Sequence, residues 1–247
     1  VWRNDFDHEN VGYLREHVVK GVPILPAAGY LESLLELCRV HYGESSGYAV
    51  RDVEIAAPMI ITAERGLDFT TSFDAATSRA VIRSLENGRL GTGSVHLNAT
   101  VHPISEISDR KFDFREQLEQ FESETDVHAF YESLGSVGLN YGPLFQTVRR
   151  LHLDDGRVMA KVEIDPSLEH DLSKYLMHPT MLDGCFQTLI GMLDSSDTTY
   201  LPTHIEELCI YVQQAPTNLW CVGKRVHQTA NSVTCDLQLV DEAGRLI

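Results

Sequence analysis

The chain has 247 residues, 43% of them apolar, enough for one large domain or two small ones whose core needs no disulfide or metal. Its 36 acidic and 20 basic side chains give a formal charge of −16, a balance that excludes nucleic acid and anionic membrane surfaces as partners and serves solubility. Five cysteines without a C-x-x-C pair exclude a disulfide framework or zinc site and fit a reduced, cytoplasmic setting, and no run of 18 apolar residues predicts a membrane span.

The first strong element is a helix after Pro26. Apolar residues at Ala27, Tyr30, Leu31, Leu34, Leu35 and Cys38 form a wide helical stripe, and Pro26 suits the first helical position. Strands are predicted over Ala49–Ile61 and Arg79–Leu85, with Asn87-Gly88 as a type I′ hairpin turn. The return strand sets Val95, Leu97, Ala99 and Val101 on one face and Ser94, His96, Asn98 and Thr100 on the other, the mark of a half-buried antiparallel strand. Residues 103–125 are charged and weakly periodic and read as a linker.

The second half repeats the plan. A short helix is predicted over Asp126–Leu134, then a hairpin of Phe145–Leu153 and Arg157–Ile164 around Asp154-Asp155-Gly156. A buried helix follows over Pro179–Leu193, then strands at Glu207–Val212, Leu219–His227 and Val233–Val240, and a turn at Asp241–Gly244. The reading is an α+β chain with two halves, residues 1–102 and 126–247, each a long apolar helix with antiparallel strands around it. A sheet wrapping a central helix, twice over, would be a double hot dog. The repeat is one of structure, without a residue-level repeat.

Three segments could carry chemistry. In the first, His17 precedes Gly21, Pro23 and Pro26 in a turn before the buried helix. Unpaired N–H groups at that helix start could polarise a carbonyl, and the histidine could remove a neighbouring proton. Taken alone, His17 reads equally as a loop histidine capping a turn. In the second, Asp183 lies among Leu182, Phe186, Leu189 and Ile190. Burial raises the pKa of a carboxyl group, which suits an acid that must donate a proton. Gln187, four residues on, shares its helical face and could orient it. The alternative is a structural Asp–Gln bond. His178 is a rival, but its place before Pro179 fits the start of the helix better. In the third, Gly138-Leu-Asn-Tyr141-Gly142-Pro143-Leu-Phe145 would hold a tyrosine hydroxyl on a tight turn, or simply pack aromatics.

Together these segments resemble the dehydratase domains of modular type I polyketide synthases. H-x-x-x-G-x-x-x-x-P is met by His17, Gly21 and Pro26, and G-x-x-Y-G-P-x-F by Gly138, Tyr141, Gly142, Pro143 and Phe145. D-x-x-x-Q/H is met by Asp183 and Gln187, and a Leu-Pro before a strand by Leu201-Pro202. The resemblance implies a double hot dog fold. It implies that His17 takes the α proton of a β-hydroxyacyl thioester and Asp183 protonates the leaving hydroxyl, giving an α,β-unsaturated thioester. Gln187 and Tyr141 would position these groups, and the N–H near Ala27, just past Pro26, would receive the thioester carbonyl. His17 and Asp183 fall in different halves, so the resemblance implies one site shared by both.

The same resemblance implies no cofactor within the domain. The substrate would ride on the phosphopantetheine of an acyl carrier protein, beside neighbouring synthase domains, in the cytoplasm, with a homodimer as the family habit. The family's His-Pro-Leu-Leu-Gly-like opening strand and its final strand are absent, so both ends read as cut from a longer polypeptide. Related chemistries are double-bond isomerisation and cyclisation on the same fold, or a silent structural module. Asp183, which isomerase-like relatives tend to lack, favours dehydration.

Overall fold

The computed structural model describes residues 1–6, 12–62, 67–85, 93–106, 112–193, 198–229 and 231–247. The expected Asn87-Gly88 turn lies outside them. In chain order the first elements are β1 (Trp2–Phe6), β2 (His17–Val19), β3 (Val22–Pro23), α1 (Ala27–Tyr42), β4 (Gly47–Ile55), β5 (Leu67–Asp74), β6 (Arg79–Ser84) and β7 (Val95–Ile104). Then come α2 (Phe114–Leu118), α3 (Val127–Ser136), β8 (Leu139–Tyr141), β9 (Val148–Asp154), β10 (Arg157–Glu163), α4 (Pro179–Gly191), β11 (His204–Ile210), β12 (Asn218–Gln228) and β13 (Val233–Val240). Short 3-10 turns cover Gly12–Glu16, Pro143–Phe145 and Pro166–Lys174. No helix among the described residues is long and apolar enough to cross a membrane.

The chain divides into two compact units. The first holds a six-stranded antiparallel sheet in the order β1-β5-β6-β7-β4-β11. α1 packs on β4 and β7 and buries Tyr30, Leu31, Leu34, Leu35 and Cys38 of the predicted stripe, while Ala27 at its start is half-buried. Its C-terminus is tied to the strands by Tyr42 Oη donating to the Val101 carbonyl at 2.9 Å and Tyr48 Oη donating to that of Gly43. Of the stripe predicted on the return strand, Leu97, Ala99 and Val101 are buried in β7 and Val95 is half-buried, while His96, expected on the polar face, is buried too, with its Nδ1 3.0 Å from the Ala57 carbonyl.

The second unit holds a four-stranded antiparallel sheet, β13-β12-β10-β9, with α4 packed against β9, β10 and β12. β10 is buried on both faces: Val158, Met159, Ala160 and Val162 all sit inside. Met159, Trp220 and Val240 form a cluster covered by Phe112, Leu118 and Phe121.

Two boundaries differ from the sequence reading. Residues 103–125 are more than a linker. β7 runs to Ile104, and Phe112, Leu118 and Phe121 cover apolar surface of the second unit's sheet, with the Phe112 N–H donating to the Gly244 carbonyl at 2.8 Å. The second half also gives up a strand. β11 pairs with β4, register Glu207↔Arg51, so residues 201–213 join the first unit. An Arg51–Glu207 ion pair lies on that pairing. The physical reason is that β4's outer row of N–H and C=O groups needs a partner. The sequence reading also lacked β1, β5 and the β2–β3 hairpin.

α4 lies so close to the chain before β9 that Gly184 has no room for a side chain. A Cβ there would stand 2.0 Å from Thr147 Oγ1, which itself donates to the Thr180 carbonyl at 3.2 Å. Gly184→Ala is therefore expected to lower stability by about 1–3 kcal/mol, the usual range for overpacking. Gly12→Ala, where nothing lies within 4 Å, should stay within about 0.5 kcal/mol, both read from urea unfolding.

Candidate active site

In the first unit the site residues sit on one hairpin and one helix start. β2 and β3 pair Val18 with Pro23 and Val19 with Val22. The two residues between them, Lys20 and Gly21, have φ of 48° and 80°, the positive pair of a type I′ turn. This explains Gly21: the backbone there is left-handed, a region that favours glycine, although the space around it is open.

His17 opens β2 and is 4% exposed. Its carbonyl accepts from the Ile24 N–H at 3.1 Å, and its Nδ1 lies 3.0 Å from the Ile24 carbonyl. A carbonyl can only accept, so Nδ1 carries the proton there. The basic nitrogen of the neutral ring is then Nε2. The Leu25 and Ile61 N–H groups donate to the carbonyls of Met59 and Pro23, each at 2.9 Å, and hold the hairpin in place.

Pro26 is the N-cap of α1 rather than its first helical residue, with an extended backbone at φ −65° and ψ 154°. Its side chain has no oxygen with which to cap the first-turn N–H groups. The helix begins at Ala27, the N–H expected to receive a carbonyl.

In the second unit the acid candidate sits inside α4. Asp183 is 5% exposed and Gln187 1%. Gln187 Nε2 donates to Asp183 Oδ2 at 2.8 Å and to the Phe145 carbonyl at 3.1 Å. Gln187 Oε1 accepts from Tyr131 Oη at 3.1 Å, and the Tyr131 oxygen accepts from the Val148 N–H at 3.1 Å. The expected Asp–Gln bond is present. Tyr131, on α3, is a residue that sequence reasoning missed. No motif flags it: Phe130 beside it takes the core position, and Gln187 is 56 residues away in sequence.

Tyr141 ends β8, its carbonyl held by Gln146 Nε2 at 2.8 Å and its ring edge-on to Tyr131 with centroids 6.4 Å apart. Burial pushes both phenols above their ordinary range, and the nearby Asp183 adds to it. Both therefore remain O–H donors. The structure thus brings Asp183, Gln187, Tyr131 and Tyr141 together in one unit, and His17, Gly21, Pro26 and Ala27 in the other.

His178 is the N-cap of α4, as its place before Pro179 suggests. Its Nδ1 accepts from the Thr180 N–H at 3.3 Å and meets Thr180 Oγ1 at 2.9 Å. Burial holds its pKa down at about 4, against an ordinary 6.5, with Asp171 opposing weakly. Between those values the unfolded chain binds a proton that the folded one refuses. Stability contributed by the neutral ring is therefore lost as pH falls from about 6.5 to about 4, by about 3 kcal/mol in all. His178→Asn retains a capping oxygen and should remove that part of the pH slope, measured as the difference in unfolding free energy from wild type between pH 4 and 7.

Known families match both parts of the chain. The polyketide synthase dehydratase domain matches residues 1–85, and the polyketide synthase dehydratase N-terminal domain matches residues 109–247. Prosolanapyrone synthase of Alternaria solani is 25% identical over the whole chain, and the partially reducing polyketide synthase tpeA of Talaromyces stipitatus is 28% identical over 94% of it. The chain spans about 10% of the length of each of these curated relatives. Among solved structures, the dehydratase domain from the CurF module of curacin polyketide synthase superposes with a TM-score of 0.88 at 24% identity, covering 99% of this chain and 88% of that one. The dehydratase domain of a mycocerosic acid synthase-like polyketide synthase reaches 0.85 at 21% identity, covering 100% of this chain and 87% of that one. CurK dehydratase is represented by inactive His→Phe and Asp→Asn mutants. The α+β fold is thus a double hot dog. The chain belongs to the polyketide synthase dehydratase family, hydro-lyases that remove water from a β-hydroxyacyl thioester during polyketide biosynthesis.

Proposed function

We propose that His17 and Asp183 act on one substrate, a β-hydroxyacyl group on the phosphopantetheine arm of an acyl carrier protein. His17 Nε2 takes the α proton. The electron pair of that C–H bond forms the α,β double bond, and the β C–O bond breaks. Asp183 gives its proton to the departing hydroxyl, which leaves as water. His17 is then an imidazolium and Asp183 a carboxylate, and a proton passing from one to the other through solvent resets both. The enzyme groups transfer only protons and the elimination has no net change of oxidation state, so general acid–base chemistry by these residues accounts for it.

The observation that carries this reading is Asp183 itself, a carboxyl group buried in an apolar helix with an amide N–H on Oδ2. That bond favours Oδ1 as the oxygen that carries the transferable proton. The tautomer of His17 supports its role, since Nδ1 is committed to the Ile24 carbonyl. The inactive His→Phe and Asp→Asn mutants of CurK dehydratase point to the same two residue types. The N–H at Ala27, in a first turn that the Pro26 side chain cannot cap, suits the thioester carbonyl, whose oxygen gains negative charge as the α proton leaves. Gly21 and Pro26 shape the hairpin and helix start that hold His17, and Tyr141 offers an O–H to the substrate hydroxyl.

The curated relatives are large synthases, and we assign this domain the same setting: neighbouring synthase domains, a carrier protein, the cytoplasm and a homodimeric assembly. The charge of −16 repels an acidic carrier protein, and tethering in one polypeptide makes tight docking unnecessary.

Two measurements test this. On a β-hydroxyacyl thioester of a small thiol, His17→Ala and Asp183→Asn should each lower kcat/KM by about 10²–10⁴-fold while unfolding remains cooperative. Full activity in either variant overturns the acid–base assignment. A carrier protein added in trans should bind with a Kd weaker than about 1 μM, since tethering replaces affinity. Submicromolar binding by calorimetry contradicts the tethering argument.

A further inference from the structure

The hydrogen bonds that lead from Val148 to Asp183 run in one direction. The Val148 N–H can only donate, so the Tyr131 oxygen is the acceptor at 3.1 Å. The proton of Tyr131 is then the one that reaches Gln187 Oε1, also at 3.1 Å. The Phe145 carbonyl can only accept, so it faces the amide nitrogen of Gln187 at 3.1 Å. Those two contacts leave the Gln187 amide one orientation, with an N–H directed at Asp183 Oδ2. Both ends of the chain of bonds are backbone groups, at the start of β9 and in the turn before it.

We propose that Tyr131 is a positioning residue for the acid. Its hydroxyl, aligned by the Val148 backbone, holds the Gln187 amide with an N–H towards Asp183 and so sets how readily Asp183 releases its proton. The catalytic part of this inference rests on the reading of Asp183 as the acid.

The physical effect has a definite sign. An N–H donated to a carboxyl oxygen favours the charged form. Tyr131 donating to Oε1 polarises the amide and strengthens that N–H. Without Tyr131 the bond weakens, or the amide turns and offers Oε1, which accepts only from the protonated acid. Either way Asp183 holds its proton more tightly and becomes a weaker acid. Among the described residues, the other titratable groups around α4 include His178 at its N-cap with Asp171 acting on it, Tyr141 on β8, Cys185 on α4 itself and Cys221 on β12 behind it, with Arg149 on β9 acting on Tyr131. Burial raises Tyr141 and Cys185 well above their ordinary range, so neither carries a charge that would mask the effect near neutrality.

The test follows the Asp183 carboxyl directly. Protein labelled with ¹³C at aspartate Cγ is titrated by NMR, the Asp183 resonance being identified by its loss in Asp183→Asn. In Tyr131→Phe that carboxyl should titrate about one pH unit higher, a roughly tenfold change in its acidity. The same variant should lose about 3–10-fold in kcat with little change in KM, because an acid that binds its proton more tightly transfers it more slowly. A folded Tyr131→Phe with an unmoved Asp183 titration overturns the proposal. A double-mutant cycle gives a second reading: on a Gln187→Leu background, Tyr131→Phe should add nothing further, and additive effects overturn a role through Gln187. If Tyr131→Phe does not fold, Gln187→Leu alone should raise the Asp183 titration at least as far, and an unchanged value overturns the proposal. The titration needs no turnover. Activity retained in Asp183→Asn would therefore overturn the acid assignment while leaving the effect of Tyr131 on the carboxyl to be judged separately.

Discussion

A carboxyl group inside an apolar helix costs several kcal/mol unless it is hydrogen-bonded, and much of the second unit's local architecture answers that demand. Asp183 is met by Gln187, Gln187 by Tyr131 and the Phe145 carbonyl, and Tyr131 by the Val148 N–H. Each bond uses a different element, so α3, α4, the turn at Pro143–Phe145 and the start of β9 are held in register around one side chain. The absence of a side chain at Gly184 lets α4 come close enough to Thr147 for this arrangement. The same short distances that satisfy the acid leave little tolerance for added volume in the residue beside it.

The first unit solves a different problem. A histidine proposed as a base must be held still while one ring nitrogen remains basic. The β2–β3 hairpin contributes its backbone: a type I′ turn at Lys20-Gly21 reverses the chain, and the Ile24 carbonyl accepts a hydrogen bond from the Nδ1–H of His17. The turn leads directly into Pro26, whose side chain supplies no cap to the start of α1. A histidine, a constrained turn and a helix N-terminus are thus fixed within ten residues of chain. His178 shows the contrasting outcome. It is more deeply buried than His17 and its Nδ1 accepts rather than donates, so it caps a helix and stays neutral down to about pH 4.

Much of this was legible from residue order. The stripe on α1, the alternation on β7, the hairpin of β9 and β10 and the helix from Pro179 are local patterns, and local patterns follow from side-chain period. The Asp183–Gln187 bond was legible for the same reason, since four residues is one helical turn. Tyr131 was not legible. Its hydroxyl acts across 56 residues, and nothing in the composition of α3 distinguishes it from a packing aromatic. Residues 112–121 were misread because their apolar side chains are sparse and fall between charged ones. The apolar sheet face at Met159, Trp220 and Val240 gives Phe112, Leu118 and Phe121 something to cover.

By itself the sequence determined the α+β class, the two long helices, the strands with a clear alternation, the two candidate groups and the turn at Gly21, because periodicity, turn chemistry and helical spacing are properties of neighbours in the chain. The tertiary structure decided which strand completes which sheet and which donor faces which acceptor. β11 joins β4 although more than a hundred residues separate them, because an edge of unpaired backbone takes whichever strand can reach it in register. The Gln187 amide is oriented by two groups that no spacing rule connects, a tyrosine hydroxyl and a carbonyl from a turn. Direction in a hydrogen-bond network belongs to the folded arrangement, since a donor acquires its acceptor only once both are buried together.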